Sequence, residues 1–116
     1  NDESLSHVRV TDRTLSLQFK ALLWCHGYVD SHKPDMRRDN DGYIIRYMGY
    51  YIERGVAARK IKALSDVNAR LLSYPVMRDT IGRGAANHIW LCSKIKPYQM
   101  ACKAARRAIR KLQGKE

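Results

Sequence analysis

The sequence predicts a mostly α-helical, single-domain protein of about five helices, and three observations carry that prediction. Apolar residues recur at helical spacing through most of the chain. Proline and glycine fall where helices begin and end, as at Pro75, Pro97, Gly55 and Gly114. The length of 116 residues, 45% of them hydrophobic, allows one modest core. We therefore expect residues 1–116 to form one domain, with residues 1–10 as a flexible or extended N-terminal arm.

The first predicted helix begins at Thr11 or Asp12, ends near His26 and stops at Gly27. Its inward face is formed by residues at i, i+4, i+7, i+8 and i+11: Leu15, Phe19, Leu22, Leu23 and His26. Leu17 and Trp24 point the other way. A helix that is apolar on both sides is either sandwiched or shared with a second subunit. The sequence therefore predicts a homodimer through Leu17 and Trp24 as one alternative.

The middle of the chain is less distinct. Residues 28–41 are polar, contain Pro34 and predict a loop. Residues 43–53 favour a helix ended by Gly55, with a short β-hairpin as the alternative. Residues 56–73 predict a helix, and a break near Ser65 and Asp66 stays open because both residues are good caps.

The C-terminal segment, residues 85–114, predicts a helix-turn-helix. A short helix opened by Pro75 and closed near Gly82 precedes it. One helix follows Gly84, Lys96-Pro97-Tyr98 form a tight turn, and a basic helix runs to Gly114. We expect the alanine-rich side of this last helix to pack against a neighbour. Its opposite side then exposes Lys103, Arg106, Arg107, Arg110 and Lys111.

The charge is positive and unevenly placed. The formal net charge is +11. Residues 1–41 hold six basic and seven acidic groups, whereas residues 42–116 hold sixteen and four. Nucleic acid is the commonest partner of such a field, and we expect no membrane partner. Serine or cysteine hydrolase signatures and glycine-rich phosphate loops are absent from the sequence.

These features predict a DNA-binding transcription regulator or accessory factor, with DNA favoured over RNA. In a helix-turn-helix, Gln99 would read adenine and an arginine would read guanine. The predicted interface comprises Arg59, Lys62, Arg83, Lys94, Lys96, Tyr98, Gln99, Lys103, Arg106, Arg107, Arg110 and Lys111. This segment resembles the final DNA-binding helices of sigma factors and of small phage transcription regulators, which also end in Arg-Ala-rich helices. A protein-interaction module that docks its basic helix on an acidic partner is an alternative.

The sequence from His32 to Asp41 supports an enzymatic alternative. An EF-hand is excluded because Arg37 and Met48 occupy the first and twelfth loop positions. The stretch is similar to the acidic motif of a family of small phage Holliday-junction resolvases. That resemblance implies Asp39 and Asp41 as catalytic ligands of Mg²⁺ in a structure-specific nuclease. Otherwise we predict no catalytic residue, metal or cofactor.

The three cysteines, Cys25, Cys92 and Cys102, cannot all pair and predict a reducing environment. His88 and Cys92 share a helical face and would need Cys25-His26 to complete a zinc site, but adjacent residues on a helix diverge. We therefore expect them to be core residues. No apolar run approaches membrane-spanning length and no signal-peptide pattern is present. The expectation is a soluble cytoplasmic or nucleoid-associated protein.

Overall fold

The computed structural model describes residues 11–114, and over that range the chain is helical, with no strand. Seven α-helices and one 3₁₀ turn follow one another along the chain: α1 (Asp12–His32), the 3₁₀ turn (Pro34–Met36), α2 (Arg37–Glu53), α3 (Ala58–Lys62), α4 (Asp66–Leu71), α5 (Tyr74–Ile81), α6 (Arg83–Lys94) and α7 (Lys96–Leu112). The mostly helical prediction is confirmed, although five helices were too few. The β-hairpin alternative at 43–53 is not supported, since these residues belong to one continuous helix. The predicted N-terminal arm at residues 1–10 lies outside the described residues.

Helix α1 begins as predicted and ends later than predicted. Thr11 caps it, its hydroxyl accepting a hydrogen bond from the Thr14 N–H at 3.2 Å. The helix continues through Gly27 to His32, because an exposed glycine inside a helix costs only about 1 kcal/mol. The predicted loop at 28–41 is therefore wrong over most of its length. The real break is at Lys33 and the 3₁₀ turn after it.

Helix α2 is the centre of the core. Ile44, Ile45, Met48 and Ile52 are fully buried along it. Gly49 lets α6 approach closely, since a Cβ at that position would lie 2.7 Å from Ile89 Cδ1. From α1, Leu15 and Phe19 add to the same apolar cluster. Among the described residues, no helix is both long and apolar enough to cross a membrane.

The segment between α2 and α5 divides into two short helices, so the helix break that the sequence allowed near Ser65 is present. Ser65 is the N-cap of α4, and its hydroxyl accepts a hydrogen bond from the Asn68 N–H at 3.2 Å. The buried Asn68 side chain in turn donates to the Ile61 carbonyl at 3.4 Å. These two bonds fix the angle between α3 and α4 and supply partners for backbone groups that the break exposes.

Helices α6 and α7 meet at a single residue, Ile95. The predicted turn at Lys96-Pro97-Tyr98 is instead the first turn of α7, with Pro97 in its first two positions. A typical helix-turn-helix uses a turn of about three to four residues. The one-residue joint restricts the angle between α6 and α7.

Candidate nucleic-acid interface

Helix α7 packs through a polar face near its N-terminus. Gln99, which is 3% exposed, is the only buried residue of this helix. Its side-chain amide donates to the Glu53 carbonyl at 2.7 Å, and Arg106 Nη2 donates to the same oxygen at 3.1 Å. Glu53 is the last residue of α2, where carbonyl groups lack partners within the helix. Two side chains of α7 therefore cap the C-terminus of α2.

The prediction that α7 packs by its alanine side is wrong, because hydrogen bonds at the end of α2 decide which side faces inward. The alanines stay exposed at positions 101, 104, 105 and 108. The exposure predicted for Gln99 is also wrong, and Tyr98 is half-buried. Neither residue is placed to read bases, since both side chains bond within the protein.

The carboxylate of Glu53 lies next to side chains of α6 and α7. Its Oε2 lies 3.9 Å from Arg106 Nε and 3.4 Å from His88 Nε2. Arg106 is only partly exposed, and the Glu53 carboxylate offsets its positive charge. Of the cations predicted on the basic side of α7, Arg106 is the one held internally.

The remaining cations of α7 form an exposed line, which we call the basic row: Lys96, Lys103, Arg107, Arg110 and Lys111. Their spacing of about three, four and seven residues places them on one side of the helix. Within residues 11–114, no carboxylate lies within ion-pair distance of any of them. This side of α7 is therefore free to meet anions.

The other predicted contact residues are also exposed: Arg59, Lys62, Arg83 and Lys94. Lys62 and Lys94 line a cleft of about 160 Å³ together with Tyr74 and Trp90. The cleft lies among α2 to α6, and it adds aromatic surface beside two cations. Such a combination is typical of sites that accommodate nucleotide bases.

Arg54 extends the positive surface, although sequence reasoning left it out of the interface. Its guanidinium carbon lies 3.4 Å from the centre of the exposed Tyr50 ring. Burial and the nearby charges of Arg106 and Arg110 lower the pKa of Arg54. Arg54, the residue after α2, is therefore repelled by two cations of α7, and a bound anion would relieve that repulsion.

A second exposed line lies on the far side of α7 from the basic row. We call it the apolar row, and it consists of Ala101, Ala105, Ala108, Ile109 and Leu112. Ile109 is 52% exposed and Leu112 is 88% exposed. Both the charged and the apolar sides of this helix thus face solvent over its second half.

His88, Cys92 and Cys102 meet where α6 packs on α7. Their ligand atoms all lie within 4.8 Å of one another. Burial, followed by the charges of Cys102 and Glu53, raises the pKa of Cys92 to about 11. The sequence indicated that His88 and Cys92 share a face but did not identify Cys102 as their neighbour. The expected partners lie elsewhere: Cys25 is exposed, and His26 Nε2 lies 3.4 Å from the Asp41 carboxylate.

The structure does not bring Asp39 and Asp41 together. Both are in α2, where residues two apart point about 200° from each other. Asp39 is exposed, whereas Asp41 is buried against His26 and lies 3.7 Å from Arg70 Nη2. Two carboxylates that diverge in this way do not form a shared magnesium site.

Comparisons with protein-family models, with curated proteins and with solved structures found no match to this chain.

Proposed function

We propose that this protein binds nucleic acid by its phosphate backbone, with the basic row of α7 as the main contact. The observation that carries the proposal is the alignment of exposed cations with no acidic partner among the described residues. The basic row begins at Lys96 and ends at Lys111, which corresponds to about 22 Å along a helix. Duplex DNA presents one negative charge per about 1.7 Å of its axis, so several phosphates lie within that length.

The inward placement of Tyr98 and Gln99 changes the role proposed for α7. These are the positions from which a recognition helix would read base edges. Backbone contact without base reading favours an accessory factor over a regulator of one defined sequence. Phosphate contacts position a protein on the duplex and carry no sequence information.

The first experiment measures fluorescence anisotropy of labelled duplex DNA and of RNA of equal length across a salt series. We expect the logarithm of the affinity to fall linearly with the logarithm of salt concentration, because each neutralised phosphate releases counterions. Replacing Lys103, Arg107, Arg110 and Lys111 by alanine should reduce the magnitude of that slope by about three to four units and weaken binding to both the DNA and the RNA.

A control variant that loses the same number of positive charges elsewhere distinguishes the effect of the basic row from the effect of net charge. It carries alanine at four exposed cations of α1, the following joint and α2: Arg13, Lys20, Lys33 and Arg46. We expect this variant to keep most of the affinity and most of the slope. No measurable binding by the wild-type chain at low salt, or equal losses in both variants, would contradict the proposal.

The apolar row favours a second candidate, a protein-interaction module with an acidic partner. An amphipathic helix that exposes both sides fits an apolar groove with an acidic rim. Replacing Ile109 and Leu112 by serine tests this, since that change leaves every cation in place. Unchanged nucleic-acid affinity in this variant, combined with lost capture of a partner that wild type retains, would favour the second candidate.

A homodimer through Leu17 and Trp24 remains a proposal that the exposure of both side chains supports. Leu17 is 58% exposed and Trp24 is 69% exposed. Large apolar side chains at such exposure are typical of contact surfaces. Sedimentation of wild type and of a Trp24→Ser variant would test it, with a shift to monomer expected in the variant.

A further inference from the structure

The cluster of His88, Cys92 and Cys102 lies outside the basic row and has the composition of a metal site. Cys92 Sγ lies 3.9 Å from His88 Nε2, and Cys102 Sγ completes a group within 4.8 Å. His88 and Cys92 are one turn apart on α6, while Cys102 comes from the second turn of α7. Two helices that meet at Ile95 thus supply three soft or borderline ligands to one point.

We propose that His88, Cys92 and Cys102 bind a thiophilic divalent cation of the Zn²⁺ class. Thiolate and imidazole ligands select Zn²⁺ over Mg²⁺ and Ca²⁺, which prefer oxygen. Binding deprotonates both thiols, so two protons are released for each ion and the coordinated cysteines become thiolates. The proposal is independent of nucleic-acid binding.

The separations suit tetrahedral coordination with small adjustments. Bonds of about 2.3 Å to sulfur and about 2.0 Å to nitrogen place neighbouring ligand atoms about 3.5–3.8 Å apart. The 3.9 Å between Cys92 Sγ and His88 Nε2 is close to that range. Glu53 Oε2 lies 3.4 Å from the same nitrogen but outside the group whose ligand atoms lie within 4.8 Å of one another, so it would have to move toward the two sulfurs to be a fourth ligand.

The surroundings orient the histidine for this role. His88 Nδ1 lies 3.0 Å from the Tyr98 hydroxyl oxygen, which leaves Nε2 facing Cys92 and Glu53. A metal-bound histidine commonly donates its second N–H to an oxygen, and this contact fixes the ring and the tautomer. Arg106, beside Glu53, places a positive charge where two thiolates and a carboxylate would accumulate negative charge.

A bound ion would join the first half of α7 to α6. That half of α7 has one buried residue, Gln99, so the ion would add a cross-link where packing is sparse. A ligand that binds only the folded state stabilises it in proportion to the logarithm of its concentration.

The test titrates Co²⁺ into the reduced full-length chain and records thiolate-to-cobalt charge-transfer absorption, followed by Zn²⁺ competition. Wild type should bind one equivalent, and Zn²⁺ should raise its melting temperature. Cys102→Ser should lose the charge-transfer intensity of one thiolate and most of the Zn²⁺-dependent shift in melting temperature. Cys25→Ser is the matched control, since Cys25 is exposed on α1, and it should behave as wild type.

A milder variant keeps the test informative if Cys102→Ser folds poorly. Tyr98→Phe retains all proposed ligands and removes only the hydroxyl at His88 Nδ1, so Co²⁺ affinity should fall by about 10- to 100-fold. Circular dichroism of each metal-free variant checks that the fold is kept. The proposal is overturned if wild type shows no charge-transfer band, if Cys102→Ser binds as tightly as wild type, or if mass spectrometry of the chain in reducing buffer finds Cys92 and Cys102 joined as a disulfide.

Discussion

Helices α2 and α7 both have 17 residues, but they differ in how much of their surface is buried against the rest of the molecule. Eight residues of α2 are buried, whereas α7 buries only Gln99. Both helices contain enough apolar residues to form a core face. In α2 these residues are large and branched, so burying them excludes much more apolar surface from water than burying alanines would.

This difference shows why amphipathic pattern alone did not determine how α7 packs. Each alanine offers little apolar area, so its burial stabilises only weakly. The Glu53 carbonyl at the end of α2, which lacks a partner within its own helix, instead accepts hydrogen bonds from Gln99 and Arg106. The polar contacts decide the orientation, and the alanine side remains in solvent on the far side of α7 from the basic row.

The largest expected effect comes from replacing a methionine on each of the two helices. Met48 in α2 is fully buried, while Met100 in α7 is 57% exposed. We expect Met48→Ala to lower the free energy of unfolding by about 2–5 kcal/mol, because it leaves a cavity. Met100→Ala should change it by less than about 0.5 kcal/mol. Urea unfolding measures both, and equal losses would show that α7 is as tightly packed as α2.

A second comparison replaces two glycines by alanine, and the two substitutions should change the free energy of unfolding in opposite directions. In Gly49→Ala the new Cβ meets Ile89 Cδ1 at 2.7 Å and Cγ1 at 2.9 Å, so either the buried Ile89 side chain must shift or α2 and α6 must separate slightly. We expect a loss of about 1–3 kcal/mol in the free energy of unfolding. Gly27→Ala in α1 has no atom within 4 Å and should stabilise by about 0.5–1 kcal/mol. Stabilisation by both changes would contradict the close contact between α2 and α6.

The smallest expected effect concerns the polar contact that orients α7. Gln99→Ala removes the hydrogen bond to the Glu53 carbonyl, but that oxygen keeps the bond from Arg106. The carbonyl therefore keeps one hydrogen-bond partner, and the free energy of unfolding should fall by about 0.5–1.5 kcal/mol. Gln113→Ala, at the exposed end of the same helix, is the control and should be neutral. A neutral Gln99→Ala would mean that Arg106 alone orients α7.

Much of the fold was accessible from the sequence because local signals and packing agreed. Leu15 and Phe19 marked the buried side of α1, and Ser65 marked a helix start. The prediction failed where a local signal was weak, as at Gly27, which does not end α1. The nuclease alternative required Asp39 and Asp41 to hold one ion together, and in a helix these two side chains point apart.

The sequence by itself determined the helical class, the proline-marked starts of α5 and α7, the positive charge beyond Gly42 and the shared face of His88 and Cys92. These properties follow from composition and from spacing along one helix. Only the tertiary structure decided that Gln99 and Arg106 turn inward, that the alanine side stays exposed and that Cys102 joins His88 and Cys92. Each depends on which atoms of another helix lie opposite, since hydrogen bonding at the end of α2 and the one-residue joint at Ile95 fix how α7 is oriented.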